Sequence, residues 1–311
     1  VIFGEVMYGI ILYKDHPTLP LSELESVLKL SYAAILSQQD NFVLVDKKFD
    51  WKRLALAKLV FRVQYAGKNP EKAGEYVAPK GSFRVSVEKS NALEQKIGKK
   101  IAGKVNLTKP DETYFGTMRD QFYFGKIVWA RPSFEARKVK NRPYFHPTSL
   151  HPKYARVLVN LSGVKKGETL LDPFCGTGGI LIEAALVGAQ PVGRDVEKAA
   201  VRGSQDNLAF YKLNGEVRHG DARKLSGEYD AIATDPPYGR ASYFSGEKLQ
   251  ELYDESLKSM AKVVRSGGRI ALTVPDTVTL NPPKSLTILE KHGQRVHKSL
   301  SRSFFVLAKP M

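Results

Sequence analysis

Four short apolar segments in the second half of this chain each run into an aspartate. They cover residues 168–172, 191–195, 217–221 and 229–235 and end at Asp172, Asp195, Asp221 and Asp235. Segments of that length and character read as buried strands, and the apolar stretch 180–186 after the first of them reads as a helix. In a doubly wound sheet the carboxyl ends of the strands line the ligand crevice, and strands one and four flank the point where the strand order reverses. Asp172 and Asp235 are therefore expected to face each other across one pocket. A single aspartate at a strand end commonly caps a helix or forms a turn. Four in order, two of them inside motifs, point to a ligand site as well.

The first motif is Asp172-Pro173-Phe174-Cys175-Gly176-Thr177-Gly178-Gly179. A strand, a glycine turn and a helix N-terminus let a ligand approach bare backbone. Counted from Gly176 and Gly178, a dinucleotide fingerprint requires a third glycine where Leu181 stands. The spacing is wrong for NAD and suits a ligand with no pyrophosphate. Asp195 follows the loop at roughly 20 residues, where nucleoside sites place a carboxylate on ribose hydroxyls. The second motif is Asp235-Pro236-Pro237-Tyr238-Gly239. Its two prolines have no amide hydrogen to give a sheet, so the strand stops there. A carboxylate, the Pro236 carbonyl and the Tyr238 ring remain at the tip. Those are two acceptors for the two N–H donors of an exocyclic amine, and a π surface for the base that carries it.

Together the two motifs resemble the S-adenosylmethionine-dependent methyltransferases that modify exocyclic amines. Upstream, Arg142-Pro143-Tyr144-Phe145-His146-Pro147-Thr148-Ser149-Leu150-His151-Pro152-Lys153-Tyr154-Ala155-Arg156 resembles the lead-in to one branch of them, the archaeal and eukaryotic tRNA guanosine-10 N2-methyltransferases. The resemblance covers nearly the whole chain and is strongest between about residues 140 and 240. It implies a mixed seven-stranded Rossmann-like sheet and S-adenosylmethionine as cofactor. The contacts it implies are Thr148 and Ser149 in the lead-in, Asp172, Phe174, Cys175, Gly176, Thr177 and Gly178 in the loop, and Asp195, Val196, Asp221 and Ala222 at the next two strand tips. Asp235, Pro236 and Tyr238 are the candidate catalytic residues. Some relatives also work with a small zinc-binding activator protein that adds to an exposed sheet edge.

Charge points to the same substrate class. The chain carries 48 Lys and Arg against 32 Asp and Glu, a net +16 with pI near 9.7. Such a field attracts phosphate, and nucleic acid is the first candidate. Residues 1–150 hold +10 of the excess and residues 151–311 hold +6, so the half without the motifs is the more basic. No apolar run approaches the ~20 residues of a membrane span. The opening Val1-Ile2-Phe3-Gly4-Glu5-Val6-Met7 lacks the basic start and long apolar core of a signal peptide, so a cytoplasmic protein is expected, with Met7 as a possible natural start. The one cysteine, Cys175, excludes a disulfide framework or a multi-thiolate metal site, and no metal is expected. It reads as a small packing residue beside the ligand. Methylation at pyrimidine carbon 5 needs a thiolate nucleophile near the base, and a lone cysteine in the cofactor loop argues against it.

The first half alternates strand and helix. Strands at 8–13, 33–36 and 42–45 and helices at 19–28 and 51–60 suggest a ferredoxin-like domain over residues 1–66. A strand at 82–87, a helix at 91–101 and later strand-like segments resemble a THUMP RNA-binding domain over 67–128. Residues 129–150 are charged and aperiodic and read as a linker before a methyltransferase domain over 151–311. The candidate RNA contacts are Lys96, Lys99, Lys100 and Lys104, then Arg131, Arg137, Lys138, Lys140 and Arg142. Residues 240–246 read as a loop at the pocket mouth, 247–264 as a helix, 268–274 as the fifth strand, 285–291 as a helix, and 294–308 as a hairpin that gives the sheet an antiparallel edge.

The expected reaction is methyl transfer to guanine N2 at position 10 of tRNA, once and then again. Two alternatives stay open. Another guanosine in tRNA or ribosomal RNA requires the same chemistry, and a non-catalytic RNA-binding protein requires none. Adenine N6 of DNA also suits the amine motif, but no DNA-reading domain is apparent.

Overall fold

A computed structural model describes residues 6–146, 149–239, 247–297 and 300–311. The chain divides into two compact units, residues 1–52 with 56–132 and residues 53–55 with 133–311. Each is built on a mixed seven-stranded sheet.

In the first unit the strands are β1 (Tyr8–Leu12), β2 (Ile35–Gln39), β3 (Phe42–Val45), β4 (Ala57–Gly67), β5 (Phe83–Val87), β6 (Glu112–Met118) and β7 (Phe122–Ala130). Their order is β2-β3-β1-β4-β7-β6-β5. Helix α1 (Leu19–Leu30) follows β1, and α2 (Asn91–Gly98) lies between β5 and β6, which pair in parallel. Two aromatic cores fill the unit, one around Phe42, Phe61, Phe115 and Tyr123 and one around Phe83, Tyr114, Phe122 and Phe124.

Three expectations need correction here. The helix expected at 51–60 is absent. Trp51–Arg53 makes one 3-10 turn, and Ala57–Gly67 is a strand that pairs with β1 and β7. Its alternation of exposed Arg62 and Gln64 with buried Phe61 and Tyr65 is a strand pattern, and partners distant in sequence decide it. The boundary expected at residue 66 does not divide compact units, because β4 crosses it inside one continuous sheet. Nor is 129–150 a free linker. β7 runs to Ala130, and from Ser133 the chain belongs to the second unit, with 3-10 turns at Glu135–Arg137 and Val139–Asn141.

The second unit has strands β8 (Thr169–Asp172), β9 (Gln190–Asp195), β10 (Glu216–His219), β11 (Tyr229–Thr234), β12 (Val264–Pro275), β13 (Thr287–His297) and β14 (Leu300–Ala308). The order β10-β9-β8-β11-β12-β14-β13 puts the strand order reversal between β8 and β11, and the first five strands run parallel. Helices α3 (Pro152–Leu161), α4 (Gly179–Leu186), α5 (Lys198–Phe210) and α6 (Glu247–Val263) accompany the sheet. On α6, Leu249, Tyr253, Leu257 and Met260 recur at helical spacing and pack with Ile232, Ile270 and Leu272 of the sheet. Each fully buried aliphatic chain of that kind contributes about 1.5–3 kcal/mol. The helix expected at 285–291 is also absent. Thr287–His297 is a strand, because it pairs along its length with β14, whose Phe304 and Val306 are buried. The expected hairpin therefore begins earlier, at Thr287.

Among the described residues no helix is long and apolar enough to cross a membrane.

Candidate active site

β8 ends in the glycine loop. Gly176 and Gly178 have φ of 49° and 75°, a left-handed backbone that glycine adopts without steric cost. At Gly176 a Cβ would face open space, its nearest neighbour being the Phe174 carbonyl oxygen at 4.0 Å. Asp195, at the tip of β9, accepts the amide of Gly176 through one carboxylate oxygen and that of Glu197 through the other, each at 2.9 Å. Those bonds fix the loop to β9. A carboxylate has about four acceptor positions, so capacity for ribose hydroxyls remains on Asp195. Val196 is exposed beside it.

Asp172 is buried at the tip of β8 and accepts the hydroxyl of Thr234 at 2.7 Å and the Phe174 amide at 3.2 Å. Burial raises its carboxyl to about 7, against those two bonds, and the charges of Asp195 and Asp235 add to the rise. Burial likewise pushes the Cys175 thiol far up, with Asp172 and Asp195 adding, so it stays a neutral packing group under Gly193. At the tip of β10, Asp221 is engaged by Arg223, which donates its amide at 2.9 Å and its guanidinium at 2.7–3.1 Å. That pairing holds the Asp221 carboxyl below its ordinary range and uses its acceptor positions. Ala222 is buried next to it.

The lead-in is laced to the glycine loop. The hydroxyls of Ser149 and Thr177 share a hydrogen bond of 3.0 Å, and Arg142 donates to the Thr177 hydroxyl at 3.3 Å. Asn207 of α5 accepts the Tyr144 amide at 3.0 Å and donates to the carbonyls of Tyr144 and Thr177 at 2.8 and 2.9 Å. Thr148 lies outside the described residues, as does the expected mouth loop at 240–246.

At the tip of β11 the amine motif forms a polar network. The Tyr238 hydroxyl donates to Asp235 Oδ1 at 2.5 Å, and the Thr273 hydroxyl of β12 donates to the same oxygen. Arg302 of β14 donates to the Tyr238 oxygen at 3.1 Å. Burial, then the charge of Asp235, drives the Tyr238 phenol far above its ordinary range, so it remains a donor. Tyr253 of α6 donates to the Pro237 carbonyl at 3.2 Å and approaches that of Pro236 at 3.5 Å. Thr234, Thr273, Arg302, Tyr253 and Asn207 were not legible as site residues. An arginine two residues before the Phe304-Phe305 pair, at the head of an apolar run, is the one signal that could have drawn attention.

The candidate RNA contacts scatter. Lys96 and Lys100 are exposed but paired with Glu71 and Glu75 at 2.7 and 3.0 Å, while Lys99 and Lys104 are exposed and form no ion pair among the described residues. Arg131 lies 4.4 Å from the Tyr13 ring and donates to its hydroxyl at 2.9 Å. Lys138 pairs with Glu135 at 2.7 Å, and Lys140 is exposed. Two assignments are corrected. Arg142 is buried, donating to Thr177 and to the Arg137 carbonyl, and Arg137 pairs at 2.6 Å with Glu183, which is fully buried and also held by Arg156. Both arginines are committed to internal carbonyls and a buried carboxylate, as a buried charge must be.

Two family models match. One, UPF0020, described as an RMKL-like methyltransferase domain, covers residues 140–302, and one described as N6_N4_Mtase, DNA methylase, covers 32–206 and stops short of the amine motif. A tRNA (guanine(10)-N2)-dimethyltransferase of Methanothermobacter thermautotrophicus is 36% identical over 96% of this chain and 98% of its own. The enzyme of that name from Pyrococcus abyssi is 35% identical over 73% of this chain and 74% of its own. Among solved structures, TrmN from Thermus thermophilus matches with a TM-score of 0.59 and 22% identity over 97% of this chain and 99% of that one, which shows a shared fold.

Proposed function

This chain belongs to the tRNA (guanine(10)-N2)-dimethyltransferase family and carries the UPF0020 methyltransferase domain, and on that premise we propose that it methylates the N2 amine of guanosine 10 in tRNA, first to the mono- and then to the dimethyl form. The observation that carries the reading is the Asp235 carboxylate. Its Oδ1 accepts two hydroxyls, and among the described residues nothing donates to Oδ2. That oxygen and the second lone pair of the Pro236 carbonyl are two acceptors at the tip of a strand adjoining the glycine loop.

The loop fits S-adenosylmethionine. Gly176 exposes bare backbone to open space, Asp195 keeps acceptor capacity for vicinal hydroxyls, and neither feature requires a pyrophosphate. When bound, the cofactor supplies a methyl group on a sulfonium. The protein's residues then orient the amine. Guanine N2 is a poor nucleophile because its lone pair is delocalised into the ring. Accepting its two N–H bonds at Asp235 and Pro236 draws the nitrogen toward tetrahedral geometry, and Asp235 Oδ2 takes the proton it releases. Tyr238 offers its ring to the base. Proximity and orientation can supply ~7–11 kcal/mol of such a barrier. N2 lies within a paired stem, so the nucleotide swings out at a cost of a few kcal/mol.

Within the first unit we assign the part up to about residue 66 a ferredoxin-like role and the part over 67–128 that of a THUMP module that grips tRNA, the two sharing one sheet through β4. The parallel β5–β6 pair joined through α2 and the exposed Lys99 and Lys104 support that assignment. β13 hydrogen-bonds on one side only and exposes Ile288, Leu289 and Val296, so it is the edge we assign to a small zinc-binding activator. For an enzyme acting on tRNA we assign a cytoplasmic location.

The test is mass-spectrometric mapping of nucleosides in unmodified tRNA treated with the protein and S-adenosylmethionine. Mono- and dimethylguanosine at position 10 is the expected product. Methylation only at another nucleoside, or none, would reject the reading.

A further inference from the structure

Arg302 is a buried cation, 8% exposed, and among the described residues no carboxylate forms a salt bridge with it. Buried charges are ordinarily paired. Its guanidinium instead lies 5.4 Å from the Tyr154 ring and 5.3 Å from the Phe304 ring, which hold its plane. Its Nε donates to the Gln294 side chain at 2.9 Å, and its Nη1 donates to the Tyr238 hydroxyl at 3.1 Å.

Those bonds have a fixed direction. A guanidinium has donors only, so the Tyr238 oxygen must accept from it. The phenol's single proton then goes to one of two neighbours, Asp235 Oδ1 at 2.5 Å or Thr273 Oγ1 at 3.2 Å. Thr273 spends its own proton on Asp235 Oδ1, and the shorter contact takes the phenol's. The chain of donors runs one way, from Arg302 through Tyr238 to Asp235, with Thr273 entering from the side.

We infer that Arg302 is a positioning residue for methyl transfer, which orders the hydrogen bond of Tyr238 so that the Asp235 carboxylate is locked by Oδ1 and presents Oδ2 to the amine. Arg302 itself touches no reacting atom. The inference rests on the amine-methylating reading above. A purely structural role is the competing account, since Arg302 stands opposite Gln294 in the β13–β14 pairing.

The two accounts part in kinetics. Arg302→Gln, Tyr238→Phe and the double variant are compared with the wild type for kcat, KM for tRNA, cofactor affinity and melting temperature, following labelled methyl groups into tRNA. Removing a charge-assisted link predicts a fall in kcat of about 10- to 100-fold for Arg302→Gln, with KM and cofactor affinity within a few-fold. Arg302→Lys, which restores a cationic donor, should recover part of kcat. Tyr238→Phe cuts the same link while keeping the ring, so the double variant should be no slower than Tyr238→Phe alone. Normal kcat in Arg302→Gln, or losses that multiply in the double variant, would overturn the inference. Should Arg302→Gln fail to fold, Tyr238→Phe still decides, because full turnover without the hydroxyl leaves Arg302 nothing to order. A wild type that transfers no methyl group to any exocyclic amine would instead defeat the underlying reading.

Discussion

Thr234 donates its hydroxyl to Asp172 at 2.7 Å, so the residue before the amine motif is hydrogen-bonded to the residue that opens the glycine loop. These two residues, 62 positions apart in the chain, thereby link the two motifs through one polar contact across the β8–β11 pair.

That contact has a pH signature. The Asp172 carboxyl titrates near 7 in the fold, above its ordinary 3.8. Between those values the native state binds the extra proton, so this group's contribution favours folding at low pH and is lost as pH rises through about 7. Asp172→Asn should flatten the dependence of melting temperature on pH between 5 and 8. Thr234→Val removes a donor that favours the charged form and should move the inflection upward, with a cost of about 1–3 kcal/mol above it. An unchanged slope in Asp172→Asn would place the titration elsewhere.

Asp235→Ala should leave cofactor affinity and melting temperature near wild type while methyl transfer falls by at least ~10²-fold, the scale expected for a group in proton-linked chemistry. Single-turnover transfer to tRNA measures it. Near-normal turnover in a folded variant would remove Asp235 from the reaction.

Asp195→Ala should weaken S-adenosylmethionine by ~1–3 kcal/mol, because it loses acceptors for hydroxyls and also frees the Gly176 amide it holds. Calorimetry reads the affinity, and binding of tRNA serves as the control that should not move.

The lysines separate by their partners. Lys99→Ala with Lys104→Ala should lower the logarithmic salt slope of tRNA binding by up to ~0.9 for each duplex phosphate that is no longer neutralised. Lys96 and Lys100 already serve Glu71 and Glu75, and their removal should change the slope less. Equal effects from both pairs would show that the carboxylates do not compete with phosphate.

Arg142→Ala should act on the fold of the loop. It removes the guanidinium donor from the Thr177 hydroxyl and leaves the Arg137 carbonyl without its guanidinium partner, so melting temperature and cofactor affinity should both drop. The salt slope for tRNA should stay as it was, and a reduced slope with unaltered stability would return Arg142 to the RNA surface.

What the sequence by itself determined is what repeats locally or is written in backbone chemistry. Apolar runs ending at Asp172, Asp195, Asp221 and Asp235 set the strands and the position of the reversal, the glycines at 176 and 178 set a left-handed loop, and two prolines end β11. Where the periodicity was ambiguous the tertiary structure decided. Residues 57–60 and 287–291 suit a helix by composition but are strands, because β1, β7 and β14 bring the partners, and strand pairing depends on neighbours far away in the chain. The same reason hid Thr273 and Arg302. Each looks like an ordinary strand residue until the order β11-β12-β14 sets them beside Asp235 and Tyr238, and only that adjacency turns a hydroxyl and a guanidinium into parts of the site. Charge was misleading in a parallel way. Arg137 and Arg142 count toward a basic surface in composition, whereas packing against Glu183 and Thr177 draws them inward, since burial and partners are properties of the fold.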